Sequence, residues 1–313
     1  MSSQIFPSPN SSEFVMFSKL STLFAGFYRL SAAGVVLKNK DSEQTLNMRE
    51  INSVVEPQSV ILITGGAGFL GQHIVKLIQE RRPDVKEIRV FDIKPYLNQL
   101  DHPESKPIKS FVGDVRSLHD LLKAFDGVDT VIHTAGLISY GTFPDLEGMQ
   151  QINVKGTKNV IEACLKQNVP RLVYTSTVDV VIGFEEIING DEDKTTKPRK
   201  FLFPGYPQTK SEAEKCVLQA NATPLSKGDG SVLQTVALRP NVMYGERDPH
   251  YVTNALANAK ARGGVLTRVG RGDALFQQAY VGNVAWAHLK AEEAMRRQDS
   301  WVVYEGTVCD LTL

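Results

Sequence analysis

Val60-Ile61-Leu62-Ile63-Thr64-Gly65-Gly66-Ala67-Gly68-Phe69-Leu70-Gly71 is the stretch on which the fold turns. Residues 60–64 form an apolar, β-branched run of strand length, and 68–79 carry helical periodicity. A glycine-rich turn between a buried strand and a helix is the context that a dinucleotide pyrophosphate requires. Gly65 permits the tight turn, Gly68 lets the backbone approach the pyrophosphate, and Gly71 lets the helix pack close to the strand. The helix start, with the backbone of Phe69 and Leu70, turns free N–H groups and a positive dipole toward the phosphates.

Working outward, short apolar runs alternate with amphipathic segments. Strands are expected at 88–91, 109–112, 130–133, 172–175 and 234–238, and helices at 118–125, 146–166 and 206–220. Continuous apolar strands alternating with helices imply a parallel sheet covered on both faces, an α/β fold of the doubly wound Rossmann type. The alternation weakens after Pro240. The expected division is an N-terminal extension with linker over 1–57, a nucleotide-binding domain over 58–240 and a smaller lobe over 241–313.

Further cofactor positions follow the strand ends. Asp92 stands 21 residues after Gly71, where a carboxylate accepts from a ribose 2′-hydroxyl and repels a 2′-phosphate. That favours NAD over NADP, with Lys94 close enough to soften the preference. Asp114, followed by Val115, ends the third strand and can reach an adenine amino group. Thr134-Ala135-Gly136 ends the fourth with residues small enough to leave room for the cofactor.

Tyr206 and Lys210 lie one helical turn apart downstream of this turn. Removing hydride from a secondary alcohol also requires its hydroxyl proton to leave, and a tyrosine serves as base only if its pKa of about 10 is lowered. An ammonium at about 4 Å and an effective dielectric near 20 favours the phenolate by about 4 kcal/mol before desolvation. Lys210 can also hold the nicotinamide ribose. A hydroxyl to orient the substrate oxygen is expected from Thr177, with Ser176 second, and Asn153 completes a polar relay. His133 and His288 read as satisfied core or capping residues. No His, Cys and acid cluster has metal-ligand spacing.

Composition excludes several classes. Thirty-five basic residues balance thirty-five acidic ones, so no net field favours nucleic acid. Three separated cysteines suit a reducing compartment rather than a disulfide framework. Lys19 and Arg29 interrupt the one candidate membrane span, 14–37. Within it Phe14, Phe17, Leu20, Phe24, Phe27 and Leu30 fall on one helical stripe. An interfacial anchor, a removable targeting peptide and an extension without role all remain open for it. The polar run 38–56 reads as a linker.

The chain from about Val60 to Glu293 resembles extended short-chain dehydrogenases and, within them, 3β-hydroxysteroid dehydrogenases. Thr64–Gly71, Tyr206-x-x-x-Lys210, Leu238-Arg239-Pro240 and Tyr244-Gly245 carry the general likeness. Asn153-Val154-Lys155-Gly156-Thr157, Glu186-Ile187-Ile188-Asn189-Gly190 and Ala279-Tyr280-Val281-Gly282-Asn283-Val284-Ala285-Trp286-Ala287-His288 carry the narrower one. The resemblance implies Tyr206 as acid and base, Lys210 as its partner, Thr177 at the hydroxyl position, and Pro240 and Val242 lining the nicotinamide. It implies oxidation of a flat, apolar 3β-hydroxysteroid with NAD. Sterol-4-carboxylate dehydrogenases and nucleotide-sugar epimerases share the general features, and a non-catalytic dinucleotide scaffold is the reading from another class. Thr177 stands where the family often has serine. The family continues past Cys309-Asp310-Leu311-Thr312-Leu313, so an incomplete substrate lobe is expected. A homodimer, peripheral membrane association and an intracellular site are further expectations, the last at the cytosolic face of the endoplasmic reticulum or, alternatively, in mitochondria.

Overall fold

A computed structural model describes the strand backbones at 29–31, 34–39, 42–46 and 308–311, and residues 59–185, 187, 190, 195–266 and 277–297. The aromatic stripe at 14–30 lies outside the described residues save for the backbone of its last two positions. Residues 1–56 and 57–313 form two compact units.

In the first unit β1 (Arg29–Ser31), β2 (Gly34–Asn39) and β3 (Ser42–Leu46) make an antiparallel sheet. The expected linker thus contributes a strand. The Val35-Val36-Leu37 run of β2 is rich in β-branched residues that favour extended backbone, and Val36 pairs with Thr45 of β3.

The second unit opens with β4 (Ser59–Thr64), every residue of which is buried, and α1 (Phe69–Arg81). There follow β5 (Val85–Asp92), β6 (Ile108–Val112), α2 (Leu118–Phe125) and β7 (Thr130–His133). The expected long helix is α3 (Leu146–Met149), a π-helical stretch at Gln150–Lys155, and α4 (Gly156–Lys166). Next come β8 (Arg171–Thr175), α5 (Tyr206–Gln219), the short β9 (Thr223–Pro224) and β10 (Val232–Pro240).

The main sheet runs β6-β5-β4-β7-β8-β10, continuing to a last strand, β13 (Val308–Leu311); these strands are parallel, and β9 pairs antiparallel with β10. Side chains alternate across a strand, so each strand feeds two cores. Leu62, Val131 and Leu172 join Leu121, Phe125, Val160 and Val217 from α2, α4 and α5 on one face. Ile61, Ile63, Ile132 and Val173 join Ile74 and Ile78 of α1 on the other. This is a doubly wound α/β sheet.

The chain after Pro240 departs from the expected boundary. There β11 (Val242–Tyr244) pairs with β12 (Gln278–Tyr280), and α6 (Val252–Ala261) buries none of its residues. But α7 (Val281–Arg297) sets Val284, Ala285 and Leu289 into the α1 core, and β13 extends the main sheet beside β10. The sheet therefore does not end at Pro240. Its last strand is only four residues with Cys309 and Asp310 inside, too short and polar to show as a strand in sequence. Among the described residues no helix is long and apolar enough to cross a membrane.

Candidate active site

From β4 the chain winds one way to β5 and β6, and from β7 the other way to β8 and β10. Strand ends diverge at such a reversal and leave a crevice beyond their carboxyl termini. The glycine turn lies there. Gly65 has φ +71°, and a Cβ on it would stand 2.7 Å from the Ala135 nitrogen, so the turns after β4 and β7 touch. A Cβ on Gly71 would fall 2.4 Å from both the Gly65 oxygen and the Gly66 Cα. Helix α1 starts at Phe69 and Leu70 with no side chain capping it and no acid in its first turn. Its amides are left for an anionic ligand. These residues fit a dinucleotide pyrophosphate.

Asp92, at the end of β5, accepts the Ala67 N–H through Oδ2 at 3.0 Å and the Lys94 N–H through Oδ1 at 3.3 Å. It therefore braces the glycine turn, a role the sequence spacing did not suggest. Asp114 is gripped by the Arg116 guanidinium at 2.5 Å, and that hydrogen bond holds its carboxyl below the usual range. An ionised carboxylate has about four acceptor sites, so this pairing leaves Asp114 able to accept a further donor. Val115 is buried beneath Gly156. The Thr134 hydroxyl donates to the Thr64 carbonyl at 2.8 Å. Gly136 sits against Asn153, whose Oδ1 would lie 3.3 Å from an added Cβ. His133 is buried between the hydroxyls of Thr64 at 2.6 Å and Thr157 at 2.9 Å, and burial pushes its pKa down to about 3. It is a neutral core residue.

At the other end of the crevice Tyr206 and Lys210 are both buried on the first turns of α5. The structure corrects the expected electrostatics. Lys210 Nζ donates to the Thr175 carbonyl at 2.5 Å and lies 4.3 Å over the Tyr174 ring. Burial depresses its pKa to about 7, against the nearby Glu214 carboxylate. Tyr206 has its phenol pKa raised, first by burial and then by Asp179. The phenol is held protonated, because desolvation and a carboxylate outweigh an ammonium occupied elsewhere. Asp179 accepts from the Tyr140 hydroxyl at 3.2 Å, and the Tyr140 ring meets the Tyr206 ring edge-on at 5.6 Å. Neither Asp179 nor Tyr140 was singled out from sequence, since their relation to Tyr206 is entirely tertiary.

The two candidate hydroxyls separate cleanly. Thr177 is buried beyond the end of β8, accepts the Asp179 N–H at 3.3 Å, and its hydroxyl also bonds the Asp179 carboxylate. Ser176 instead donates to Glu214 at 2.6 Å. Glu214 is wholly buried and paired with Arg239 through two bonds of 2.9 Å. Burial opposes the charge, yet Arg239 keeps the Glu214 carboxyl below its usual range. Ser176 therefore belongs to a buried ion-pair network. Asn153, in the π-helical stretch, takes the Leu137 N–H at 2.7 Å and donates to the Leu137 carbonyl at 2.9 Å and to Thr209 at 3.1 Å. It clamps the loop after β7 onto α5. Pro240 ends β10 and Val242 opens β11, on the strand next to β8 and just past it. His288 bonds Thr175 from α7. Among the described residues no group of His, Cys, Asp or Glu could hold a metal.

The family model described as "3-beta hydroxysteroid dehydrogenase/isomerase family" matches residues 62–308. The "3 beta-hydroxysteroid dehydrogenase type 7" of Mus musculus is 38% identical over 244 residues, covering 76% of this chain and 64% of that protein. Its Homo sapiens counterpart is 37% identical over 247 residues, with 76% and 64% covered. The chain thus matches 64% of the length of these curated relatives. Among solved structures, MoeE5 in complex with UDP-glucuronic acid and NAD superposes with a TM-score of 0.63 at 26% identity, covering 81% of this chain and 76% of that one. The UDP-glucose 4-epimerase of Thermus thermophilus, complexed with NAD, gives 0.58 at 26% identity, with 81% and 77% covered.

Proposed function

The chain belongs to the 3-beta hydroxysteroid dehydrogenase/isomerase family, and on that premise we propose that it oxidises the 3β-hydroxyl of an apolar steroid or sterol with NAD. The observation that carries the reading is the buried Tyr206 and Lys210 pair on α5, a helix packed against the turn that Thr177 caps, at the carboxyl end of the sheet that also presents the glycine turn. NAD, when bound, would supply the hydride acceptor. The uncapped start of α1 would hold its pyrophosphate, and Asp92 would receive its adenosine ribose hydroxyl. The Thr177 hydroxyl would turn from Asp179 to donate to the substrate oxygen and orient it. Tyr206 takes the hydroxyl proton of the alcohol at its phenolic oxygen, a transfer that needs the phenol ionised. Its raised pKa therefore confines oxidation to the side of higher pH and leaves the reverse reduction, in which the phenol donates, favoured lower.

The substrate class is supported by the rim. Tyr140 and Phe203 stack edge-on at 5.8 Å beside Tyr206, and Phe143 and Phe184 are exposed on neighbouring loops. Such a rim suits a flat hydrocarbon better than a diphosphate. The solved epimerase relatives favour a second reading, a sugar nucleotide at the same site. The test is NAD reduction followed with 3β-hydroxysteroids and with UDP-sugars, in wild type and Tyr206→Phe. Steroid-dependent reduction that falls by about 10²–10⁴-fold in the variant, with NAD affinity kept, is expected. Reduction with UDP-sugars alone would replace the reading.

A further inference from the structure

We propose that His288 is a positioning residue for the proton-transfer site, acting through Thr175 on Lys210; this rests on the dehydrogenase reading of that site. His288 lies on α7, within the decapeptide 279–288, and is fully buried. Its hydrogen bonds leave one arrangement. The Val284 carbonyl can only accept, so Nδ1, at 2.7 Å from it, carries the ring hydrogen. Nε2 is then an acceptor, and the Thr175 hydroxyl donates to it at 2.8 Å. The carbonyl of the same Thr175 receives Lys210 Nζ at 2.5 Å.

The histidine thus reaches β8 from the face covered by α1 and α7, while the lysine reaches it from α5 on the opposite face. Thr175 is the point at which the two meet. The next residue is pinned as well, its N–H on the Leu238 carbonyl at 2.7 Å and its hydroxyl on Glu214. Thr177 follows directly. Fixing the Thr175 rotamer and peptide therefore fixes where the lysine rests and where the substrate-orienting hydroxyl emerges. Burial pushes the His288 pKa down to about 4, so the ring stays neutral and the direction of both bonds is constant around neutrality. The other groups around Lys210 are Tyr206 and Glu214 on its own helix, Tyr174 on β8 and His133 on β7.

The experiment uses His288→Leu, His288→Gln and Thr175→Val in the 313-residue chain. Leucine removes the acceptor, glutamine restores one at the Nε2 position, and valine removes the hydroxyl while keeping the carbonyl. His288→Leu should lower kcat about tenfold to a hundredfold, the scale of a small misplacement in a reacting site, with the Kd for NAD unchanged. Thr175→Val should match it, the double variant should be no worse, and His288→Gln should recover most of the rate. A second readout needs no turnover. Lysine Nζ NMR, with the resonance assigned by its loss in Lys210→Arg, should show the Lys210 titration falling in His288→Leu and Thr175→Val, because the ammonium loses a well-placed carbonyl. Should the wild type fail to oxidise any steroid, the functional reading fails, while the lysine titration still decides the role of His288. If His288→Leu fails to fold, Thr175→Val carries both measurements. A lower Tm with kcat and the Lys210 titration both unmoved would overturn the proposal and leave His288 as packing.

Discussion

Gly71→Ala isolates the glycine turn from the rest of the fold. The added methyl would fall 2.4 Å from the Gly65 oxygen and the Gly66 Cα, and 2.8 Å from the Gly66 carbonyl carbon. Ordinary contact begins near 3.4 Å, so the turn or the helix must yield by about 1 Å. All three obstructing atoms are backbone of the turn itself, so no side chain can rotate away. Overpacking of this kind costs about 1–3 kcal/mol. The backbone that must move is the one presented to the pyrophosphate, so most of that cost should appear in cofactor binding. At 1.4 kcal/mol per tenfold, NAD should bind about 5- to 150-fold more weakly. Isothermal titration with NAD measures it, with thermal unfolding in parallel. Gly127→Ala is the control, since Gly127 also has a positive φ of +67° but nothing lies within 4 Å of its added Cβ. It should lose about 1–2 kcal/mol of stability through backbone strain and leave NAD affinity unchanged. A folded Gly71→Ala chain binding NAD within twofold of wild type would refute the assignment of this turn to the cofactor.

Three further outcomes follow from the same geometry. Asp92→Asn can keep the Ala67 bond while removing the charge, so the NADP to NAD affinity ratio should rise about tenfold to a hundredfold; an unchanged ratio in paired titrations would remove Asp92 from cofactor selection. Lys210, depressed from 10.5 to about 7 by burial, sheds its proton in the folded chain before the unfolded chain does. Stability should accordingly rise with pH between those values, and Lys210→Met should flatten that rise in urea midpoints; an identical pH slope in both chains would contradict the depressed pKa. Arg239→Met leaves the Glu214 carboxylate buried without its guanidinium and should cost about 3–5 kcal/mol in denaturant unfolding, whereas a loss below about 1 kcal/mol would mean that Glu214 is reached by water.

How far the sequence could be read depended on whether a feature was local. The buried run of β4, the glycines after it and the one-turn spacing of Tyr206 and Lys210 are local patterns, and each lies in the element expected. Residues 175–177 show the limit. Three consecutive hydroxyls look interchangeable in sequence, yet Thr175 turns to His288, Ser176 to Glu214, and Thr177 caps the next turn. Alternation along a strand could have separated Ser176 from its neighbours, but only the positions of α5 and α7 say which side faces what. Glu214 was within reach of sequence, four residues after Lys210 on the same helix. Asp179 was not, because nothing local brings it toward Tyr206. The phenol's electrostatics were misjudged for the same reason: the one-turn spacing is visible, the competing carbonyl of Thr175 is not.

The π-helical stretch Gln150–Lys155 carries an unusual vulnerability to length. Wider i→i+5 turns accommodate one residue more than a regular helix would, and a single deletion within 150–155 would let 146–166 relax into unbroken α-helix. By helical propensity that shorter helix is the better one. A wide turn sweeps about the same angle with one residue more, so the segments on either side of the deletion would stay nearly in phase, and the residues displaced would be those of the turn itself. Val160 and Cys164 would then keep their place in the core, while Asn153, inside the turn, would lose its place against Leu137 and Thr209. Sequence edits that tidy this helix should therefore yield a chain that folds well and loses its grip on the loop after β7, whereas substitutions that preserve its length should be borne far more easily.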